Sequence, residues 1–408
     1  MPALPTGDPA PSDGALPAAA LRGLGERPFG VYVHVPFCAT RCGYCDFNTY
    51  TPGELGADQG GSGASPMAYL DALRRELDLA AEVLGRPVPA DTVFVGGGTP
   101  SLLGADGLAA VLDAVRSAFG LAAGAEVTTE SNPESTSPEF FSGIAEAGYT
   151  RVSLGMQSAA PHVLAVLDRR HTAGRPVAAA QEARAAGIRH VNLDLIYGTP
   201  GETGTDLAAS LDAVLSAGVD HVSAYALVVE PGTALARRVR RGELPAPDDD
   251  VLAQRYEQLD TALSAAGLHW YEVSNWAASP RARCRHNLGY WAGGDWWGAG
   301  PGAHSHVGGV RWWNVKHPAR YTALLAEGRS PAAGREVLGA GERHTERIML
   351  GVRLAEGLPM AVLDGAGRSA ADRAVSDGLL ASVPGGRLVL TRRGRLLADA
   401  VVRDLLVG

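Results

Sequence analysis

Six short runs rich in β-branched and other apolar residues recur along this chain, and a cluster of glycine, proline, cysteine or polar residues follows each of them. The segments between the runs carry apolar residues at three- and four-residue steps, as at Leu70, Leu73, Leu77 and Leu84, which is typical of amphipathic helices. Strands that alternate with helices form right-handed crossover units around a parallel sheet. The runs and the clusters after them are FGVYVHV before the cysteines, DTVFV before GGGTP, EVTTE before SNPES, TRVSL before GMQS, HVNLDLIYG before TPGET, and HVSAYALVV before EPGT.

This order predicts an α/β fold built on a parallel β/α barrel. Six consecutive units favour a partial, six-unit barrel over a complete barrel of eight units. In parallel α/β folds the ligands bind at the carboxyl ends of the strands. We therefore expect the functional residues in the clusters that follow the six runs.

The remaining segments indicate a leader, a connection and a small second unit. The first 27 residues are broken by proline and glycine and lack a periodic apolar face, which predicts a disordered leader. The stretch TPGELGADQGGSGASP after the cysteines is expected to be a flexible excursion. The predicted divisions are a disordered leader at 1–27, the barrel at 28–248, an aromatic and glycine-rich connecting segment at 249–340, and a small helical or winged-helix-like domain at 341–408.

Charge and hydropathy narrow the classes of function. The net charge of −8 and the pI near 5.8 give no general reason to expect nucleic acid as a partner. No run of about 18 apolar residues and no secretion signal is found, so we expect a cytoplasmic protein without a membrane span. Lys316 is the only lysine, which argues against a Schiff-base enzyme or a phosphate-loop lysine.

Three of the four cysteines, Cys38, Cys42 and Cys45, lie within eight residues. So few cysteines in so long a chain do not form a secreted disulfide scaffold, and their clustering indicates a metal site in a reducing compartment. The spacing favours a [4Fe-4S] cluster with one iron free of protein ligands, and structural zinc is the alternative. The side chains available as a fourth zinc ligand are His34, Cys284 and His286.

A set of motifs in a fixed order resembles the radical S-adenosylmethionine family, in the branch that contains oxygen-independent coproporphyrinogen III oxidase. The resemblance covers roughly residues 28–408. The motifs are YVHVPFCATRCGYCDF, GGGTP, ESNPES, SLGMQS, DRRHT and NLDLIYGTPGET.

The resemblance implies that Cys38, Cys42 and Cys45 hold a [4Fe-4S] cluster whose open iron chelates S-adenosylmethionine. An electron passed through the cluster then cleaves the sulfonium C–S bond and yields a 5′-deoxyadenosyl radical, so the cofactors supply the chemistry. Taken alone, the glycines of GGGTP also fit a plain strand-to-helix turn. The residues that the resemblance assigns to S-adenosylmethionine are Tyr32, Tyr44, Gly97, Gly98, Thr99, Glu130, Gln157, Arg169 and Asp194.

One departure from the oxidases and one further motif point to a subgroup of that family. The decarboxylating oxidases carry a further cysteine two residues after the third, where this chain has Phe47. The segment CRHNLGYW, residues 284–291, resembles the signature of the heme chaperone subgroup. A neutral imidazole is a good heme ligand, so His286 is the candidate heme ligand and Cys284 the competing one. The aromatic residues expected to wall the heme are Tyr290, Trp291, Trp296 and Trp297, whereas His304 and His306 are interpreted as packing a glycine-rich turn.

The resemblance therefore implies a heme chaperone that binds heme, the cluster and S-adenosylmethionine. It implies delivery of heme to acceptor hemoproteins, at the membrane through protein contact, and an electron donor such as a flavodoxin or ferredoxin. One rival is an oxidase that converts propionate groups of coproporphyrinogen III to vinyl groups. The other rival is a zinc-stabilised binding module.

Overall fold

The computed structural model of the chain describes residues 5–56 and 64–407. Residues 1–4 of the predicted leader and the middle of the predicted excursion lie outside this description. The strands are β1 Phe29–Val35, β2 Ala90–Gly97, β3 Leu121–Ser131, β4 Arg151–Gln157, β5 His190–Tyr197, β6 His221–Ala226, β7 His269–Glu272, β8 Asn275–Ala277, β9 Asp295–Ala299, β10 His304–Val307, β11 Val310–Asn314, β12 Ala332–Val337, β13 Leu358–Pro359, β14 Leu380–Val383 and β15 Arg387–Leu390. The helices are α1 Ala18–Leu21, α2 Pro66–Leu84, α3 Gly104–Ala118, α4 Pro138–Ala147, α5 Pro161–Val166, α6 Arg175–Ala185, α7 Gly204–Ser216, α8 Ala234–Arg240, α9 Asp249–Ala265, α10 Arg285–Trp291, α11 Pro318–Ala326, α12 Ala340–Gly351, α13 Gly365–Ser376, α14 Arg392–Leu396 and α15 Ala398–Val407.

The large sheet contains the six predicted strands in chain order. Strands β1 to β6 pair in parallel with their neighbours, which confirms the six-unit parallel fold. The sheet extends beyond them on both sides, and its described strands do not close into a complete barrel. Its strand order is β12-β11-β10-β9-β1-β2-β3-β4-β5-β6-β8-β7. Strand β9 from the connecting segment pairs in parallel with β1, so that segment adds strands to the sheet of the barrel.

Local sequence explains where the helix after the cysteine loop begins and ends. Ser65 caps the amino end of α2 by accepting from the Ala68 N–H at 3.2 Å, and Pro66 occupies the first turn, where no N–H is needed. Gly85 ends the helix in the left-handed conformation, with φ of 66°. Leu73 and Leu77 are buried on the inner face. The helix therefore covers one side of the sheet.

The leader differs from the disordered segment expected from its composition. Asp8 forms a β-bridge with Arg335, and the Asp8 N–H donates to the Arg335 carbonyl oxygen at 2.8 Å. Ala20 and Leu24 are buried in the main core. Isolated apolar side chains thus anchor the described part of the leader, although proline and glycine prevent a periodic pattern.

The last part of the chain forms a small unit with its own core. Strands β13, β15 and β14 make a three-stranded antiparallel sheet, and α12, α13 and α15 pack with it around Leu388 and Leu405. Asp260 joins this unit to α9, because its carboxylate accepts from Arg395 Nη1 at 3.0 Å and lies 3.1 Å from Arg392 Nε. The domain boundaries at 248 and 340 stay predictions. Among the described residues, the helices are too short or too polar to traverse a bilayer.

Candidate functional site

The loop that follows β1 carries the three clustered cysteines. Its ends are held together, because Tyr50 N–H donates to Pro36 O at 2.7 Å and Cys38 N–H donates to Tyr50 O at 3.0 Å. Within the loop, Cys45 N–H donates to Cys42 O at 3.2 Å and closes a tight turn. All three thiols are free and line one cavity of about 1340 Å³, which we name the cysteine cavity.

The carboxyl ends of four neighbouring strands bring most of the predicted S-adenosylmethionine contacts to this cavity. Gly97 ends β2 and Gln157 ends β4. Glu130 lies near the end of β3, and Asp194 lies in β5. Tyr32 is the exception, because it lines a second cavity. The predicted contacts that line the cysteine cavity are Tyr44, Gly97, Gly98, Thr99, Glu130, Gln157, Arg169 and Asp194.

The glycine loop passes directly against the cysteine loop. Gly98 N–H donates to Val35 O at 2.8 Å, and Thr99 N–H donates to Phe37 O at 2.7 Å. A Cβ atom on Gly98 would lie 2.4 Å from Phe37 O, so a larger residue does not fit there. Thr99 Oγ1 donates to Cys38 Sγ at 3.7 Å. The glycines therefore set the distance between the two loops that border the cavity.

Two half-buried carboxyl groups face the cavity, and the pKa of each is raised. Glu130 Oε2 accepts from Gly97 N–H at 2.9 Å, and burial together with the charge of Asp194 raises the pKa of Glu130 to about 7. Asp194 accepts from Asn192 Nδ2 at 2.7 Å and from Ser153 Oγ at 3.1 Å. Burial nevertheless raises the pKa of Asp194 to about 6. A cationic group in the cavity would favour the ionised form of both.

Arg169 supplies a positive charge to the cavity. Its Nη1 donates to Cys42 Sγ at 3.3 Å, and its Nη2 donates to Gly155 O at 3.1 Å. Gln157 has a φ of 67° at a β-bulge, which turns the end of β4 at the cavity. His171, within the DRRHT motif, accepts from Arg169 Nε at 3.2 Å, and burial lowers the pKa of His171 to about 4. Sequence reasoning did not single out His171, although the motif that contains it was recognised.

The three thiols fit the ligand set of an iron–sulfur cluster. Burial raises the pKa of Cys38, and it raises the pKa of Cys45 to about 11, so both thiols would lose a proton on binding metal. Over residues 5–56 and 64–407, no three histidine, cysteine or acidic side chains converge closely enough to hold one metal ion. Three thiols on one loop that lines a large cavity match a cluster that leaves one iron without a protein ligand.

None of the three side chains considered as a fourth zinc ligand is both near the cysteines and without a hydrogen-bond partner in the described residues. Both ring nitrogens of His34 have partners, Tyr32 OH at 2.9 Å and the Asn48 carbonyl oxygen at 2.9 Å. His286 lies beside Thr92 in the amino-terminal half of β2. The strand register from Thr92 to Gly97 corresponds to about 16 Å, since strands rise about 3.3 Å per residue. His286 and its neighbour Cys284 are therefore remote from the cysteine loop.

The CRHNLGYW segment is engaged in contacts within the protein. His286 Nδ1 lies 2.8 Å from Thr92 Oγ1, and His286 Nε2 lies 2.8 Å from Tyr290 OH. Cys284 is buried, and its Sγ donates to Glu126 Oε1 at 3.6 Å. Coordination of heme by His286 stays a prediction, and it requires one of the two ring contacts to break.

A second cavity of about 700 Å³ lies beside the first. We name it the histidine cavity, because His34, His304 and His306 line it. Of the aromatic residues expected to wall a heme, Tyr290 and Trp296 line this cavity. Trp297 instead packs on Trp312 in the core, and the side chain of Trp291 hydrogen-bonds Glu272. The residues that border both cavities are Phe47, Gly97 and Glu130.

Comparison with known proteins finds similarity in sequence over nearly the whole chain. The family model described as the radical SAM superfamily matches residues 32–214. The curated heme chaperone HemW of Mycobacterium tuberculosis strain H37Rv is 66% identical over 380 residues, which is 93% of this chain and 95% of that protein. The heme chaperone HemW of Bacillus subtilis is 32% identical over 91% of this chain and 97% of that protein. The Escherichia coli HemW is 36% identical over 81% of this chain and 84% of that protein.

The fold is also similar to a solved structure. Coproporphyrinogen III oxidase (HemN) from Escherichia coli, described as a radical SAM enzyme, matches with a TM-score of 0.78. The match covers 97% of this chain and 94% of that protein at 22% identity. This similarity extends to the fold and carries no argument about activity.

Proposed function

Because this chain belongs to the HemW family of radical S-adenosylmethionine proteins, we propose that it is a heme chaperone that passes heme to hemoproteins. The observation that carries the proposal is the 66% identity to a heme chaperone over 93% of the chain. The coproporphyrinogen oxidase alternative has weaker support, a likeness of fold at 22% identity. Phe47, where the oxidases carry a cysteine, also favours the chaperone.

The cysteine cavity is the proposed site of the cluster and of S-adenosylmethionine. Cys38, Cys42 and Cys45 would hold a [4Fe-4S] cluster, which with S-adenosylmethionine supplies one-electron chemistry that side chains lack. Glu130 and Asp194 would bind cationic or hydroxyl groups of S-adenosylmethionine. The residues proposed to complete this site within the cysteine cavity are Tyr44, Gly97, Gly98, Thr99, Gln157 and Arg169, and Tyr32 is proposed to contact S-adenosylmethionine from the neighbouring histidine cavity.

We further propose the setting in which the protein acts. The free, clustered cysteines support a location in a reducing compartment such as the cytoplasm. A flavodoxin or ferredoxin would reduce the cluster, and acceptor hemoproteins at the membrane would be reached by protein contact.

A single set of assays distinguishes the chaperone from its rivals. After anaerobic reconstitution, the chaperone should contain about four irons per chain and bind hemin with a shifted absorbance band. It should then transfer heme to a heme-free acceptor faster than hemin reaches that acceptor from serum albumin. The variant Cys42→Ser is the control for the cluster. Formation of protoporphyrinogen from coproporphyrinogen without hemin binding would establish the oxidase instead, and colourless protein with bound zinc would establish the zinc module.

A further inference from the structure

Building on the S-adenosylmethionine site proposed above, we propose that His221 and Tyr271 are positioning residues for that site, because a chain of buried hydrogen bonds from them fixes the Asp194 carboxylate. Neither His221 nor Tyr271 lies in the motifs on which the family resemblance is based. In the described structure, neither side chain borders the cysteine cavity, so both would act through Asp194, which does. The proposal rests on the direction of each hydrogen bond in the chain.

The side-chain amide of Asn192 forms the link to Asp194. Both residues belong to β5, and Asn192 Nδ2 donates to Asp194 Oδ1 at 2.7 Å and to Ser153 Oγ at 2.6 Å. An ionised carboxylate only accepts hydrogen bonds, so the nitrogen of the amide faces Asp194 and its oxygen points away. Ser153 Oγ in turn donates to Asp194 at 3.1 Å. Both amide hydrogens of Asn192 therefore support the Asp194 carboxylate, one directly and one through Ser153.

The orientation of this amide depends on His221 of β6. His221 lies opposite Asn192 in the register of the two strands, and its Nδ1 is 2.7 Å from Asn192 Oδ1. Because that oxygen only accepts, His221 Nδ1 carries the proton and donates it. The other tautomer would present a lone pair at Nδ1 and favour a flipped amide, whose oxygen would then face the Asp194 carboxylate. The tautomer of His221 thus decides whether Asn192 attracts or repels that carboxylate.

Tyr271 of β7 holds His221 in this tautomer. Burial and the nearby positive charge of Arg151 lower the pKa of His221, so the ring is neutral and carries one proton near neutral pH. With that proton at Nδ1, the other nitrogen is an acceptor, and the Tyr271 hydroxyl donates to His221 Nε2 at 2.7 Å. The same hydroxyl accepts from Cys284 N–H at 3.1 Å. The three donors, of Cys284, Tyr271 and His221, thus point along the chain in one direction.

The links of the chain are shielded from water. The exposed fraction is 3% for Asn192, 2% for His221 and 0% for Tyr271. A buried polar group that loses its partner costs more free energy than its hydrogen bond contributes, so one arrangement of the chain is strongly favoured. The rings of His221 and Tyr271 also pack edge to face, with centroids 5.6 Å apart. This packing restricts rotation of the imidazole.

The affinity of the reconstituted full-length protein for S-adenosylmethionine, measured by anaerobic calorimetry, tests the positioning role. His221→Leu removes the donor to Asn192 and should weaken binding about tenfold. His221→Asn places an amide N–H near the position of Nδ1 and should recover most of the affinity. The matched control is His190→Asn on the strand of Asn192. It breaks the contact of His190 Nδ1 with Asp220 at 2.7 Å and should leave the affinity unchanged.

A double-mutant cycle separates positioning from general damage to the fold. If His221 acts through Asp194, His221→Leu should change the affinity less than about twofold in an Asp194→Asn background. A loss as large as in the wild-type background would overturn the proposal. Both His221→Leu and His221→Asn should lower the midpoint of urea unfolding, because each leaves the Tyr271 hydroxyl without its acceptor. Only His221→Leu should lose affinity, so stability and positioning are distinguished.

The tautomer has its own measurement. Nitrogen-15 NMR of the histidine-labelled protein should show His221 as the neutral Nδ1–H tautomer, with its signals identified by their loss in His221→Asn. Tyr271→Phe should raise the fraction of the Nε2–H tautomer and weaken S-adenosylmethionine binding less than His221→Leu does. An Nε2–H tautomer in the wild type would overturn the chain. If Tyr271→Phe changes neither the tautomer nor the affinity, Tyr271 is not a positioning residue.

The outcomes separate this inference from the function on which it rests. If the wild type binds S-adenosylmethionine and His221→Leu binds it equally well, the positioning role is wrong and the proposed site stands. If the wild type with an intact cluster binds no S-adenosylmethionine, the proposed site fails and the positioning role fails with it. Transfer of hemin to an acceptor reports on the chaperone function independently of both. Circular dichroism and the absorbance of the cluster check that each variant is folded.

Discussion

At the scale of single residues, the cysteine cavity contains acidic groups that titrate close to neutral pH. Burial holds the pKa of Glu130 at about 7, and the nearby charge of Asp194 adds to this effect. A protein that binds a cationic ligand through such a group gains affinity as the group ionises. The occupancy of this site should therefore respond to pH within the physiological range.

We predict that the affinity of the cluster-loaded protein for S-adenosylmethionine rises between about pH 6 and about pH 8. Below a pH of about 7 Glu130 is mostly protonated and neutral, and above it the carboxylate attracts the ammonium group of the ligand. The increase is limited to about tenfold per pH unit for one group. In Glu130→Gln most of this dependence should disappear, as measured by anaerobic calorimetry.

Glu202→Gln is the matched control for the acidic group. Burial also raises the pKa of Glu202 to about 7, but its carboxylate accepts from Gly198 N–H at 2.6 Å and borders neither cavity. This variant should keep the wild-type pH profile. An unchanged profile in Glu130→Gln would show that Glu130 does not contact the ligand.

Residue types with a fixed chemistry could be predicted from the sequence, whereas roles that arise from contacts could not. Cys38 was predicted as a metal ligand from the close spacing of the thiols, and Gly98 was assigned to the ligand site by the resemblance, because consecutive glycines alone also fit a plain turn. The structure places both at the cysteine cavity. Nothing in the spacing showed that Thr92 and Tyr290 hold the ring of His286. The contact with Thr92 joins two segments that are far apart in the sequence, so it leaves no local signal.

At the scale of elements, α10 is held inside the fold by one buried carboxylate. Glu126 on β3 accepts from the Arg285 N–H and the His286 N–H, each at 3.1 Å. It also lies 3.5 Å from Arg151 Nε, and both side chains are buried. This carboxylate therefore caps the helix and neutralises a buried guanidinium at once.

We predict that Glu126→Gln lowers the free energy of unfolding by about 3 kcal/mol, because the Arg151 charge stays buried without its partner. Urea unfolding of the cluster-free protein would measure the change. Asp113→Asn, which breaks the exposed ion pair with Arg116, should cost less than about 0.5 kcal/mol. Equal losses in the two variants would contradict the role given to Glu126.

The elements of the barrel could be predicted because each carries its pattern locally. FGVYVHV and the five later runs became β1 to β6, and the helical periodicity at Leu73 and Leu77 became α2. Strand β9 was missed, since DWWGA is short and its partner β1 lies far away in the sequence. Such pairing follows from the tertiary fold and leaves no local signal.

At the scale of the whole molecule, the apolar residues form two large separate cores. One includes the strands of the barrel and the leader, and the other lies within residues 348–405. Polar contacts join them, such as those of Asp260 with Arg392 and Arg395. We therefore expect the small unit to open without loss of the barrel.

Leu388→Ala tests this expectation, because Leu388 is fully buried in the small core. The substitution should destabilise that unit by about 2–5 kcal/mol. Hydrogen exchange should accelerate at amides of 348–405 and remain unchanged in β1 to β6. Leu112→Ala, in the large core, should accelerate exchange in the barrel. Equal acceleration throughout the molecule by Leu388→Ala would show that the two cores unfold as one.

Phe47, Gly97 and Glu130 border both cavities, so a ligand that moves one of these groups in one cavity changes the wall of the other. A ligand that displaces Phe47 from one cavity changes the volume left in the other cavity. Thermodynamic reciprocity then requires a ligand in the second cavity to change the affinity of the first by the same factor. Binding in the cysteine cavity and binding in the histidine cavity are then thermodynamically coupled.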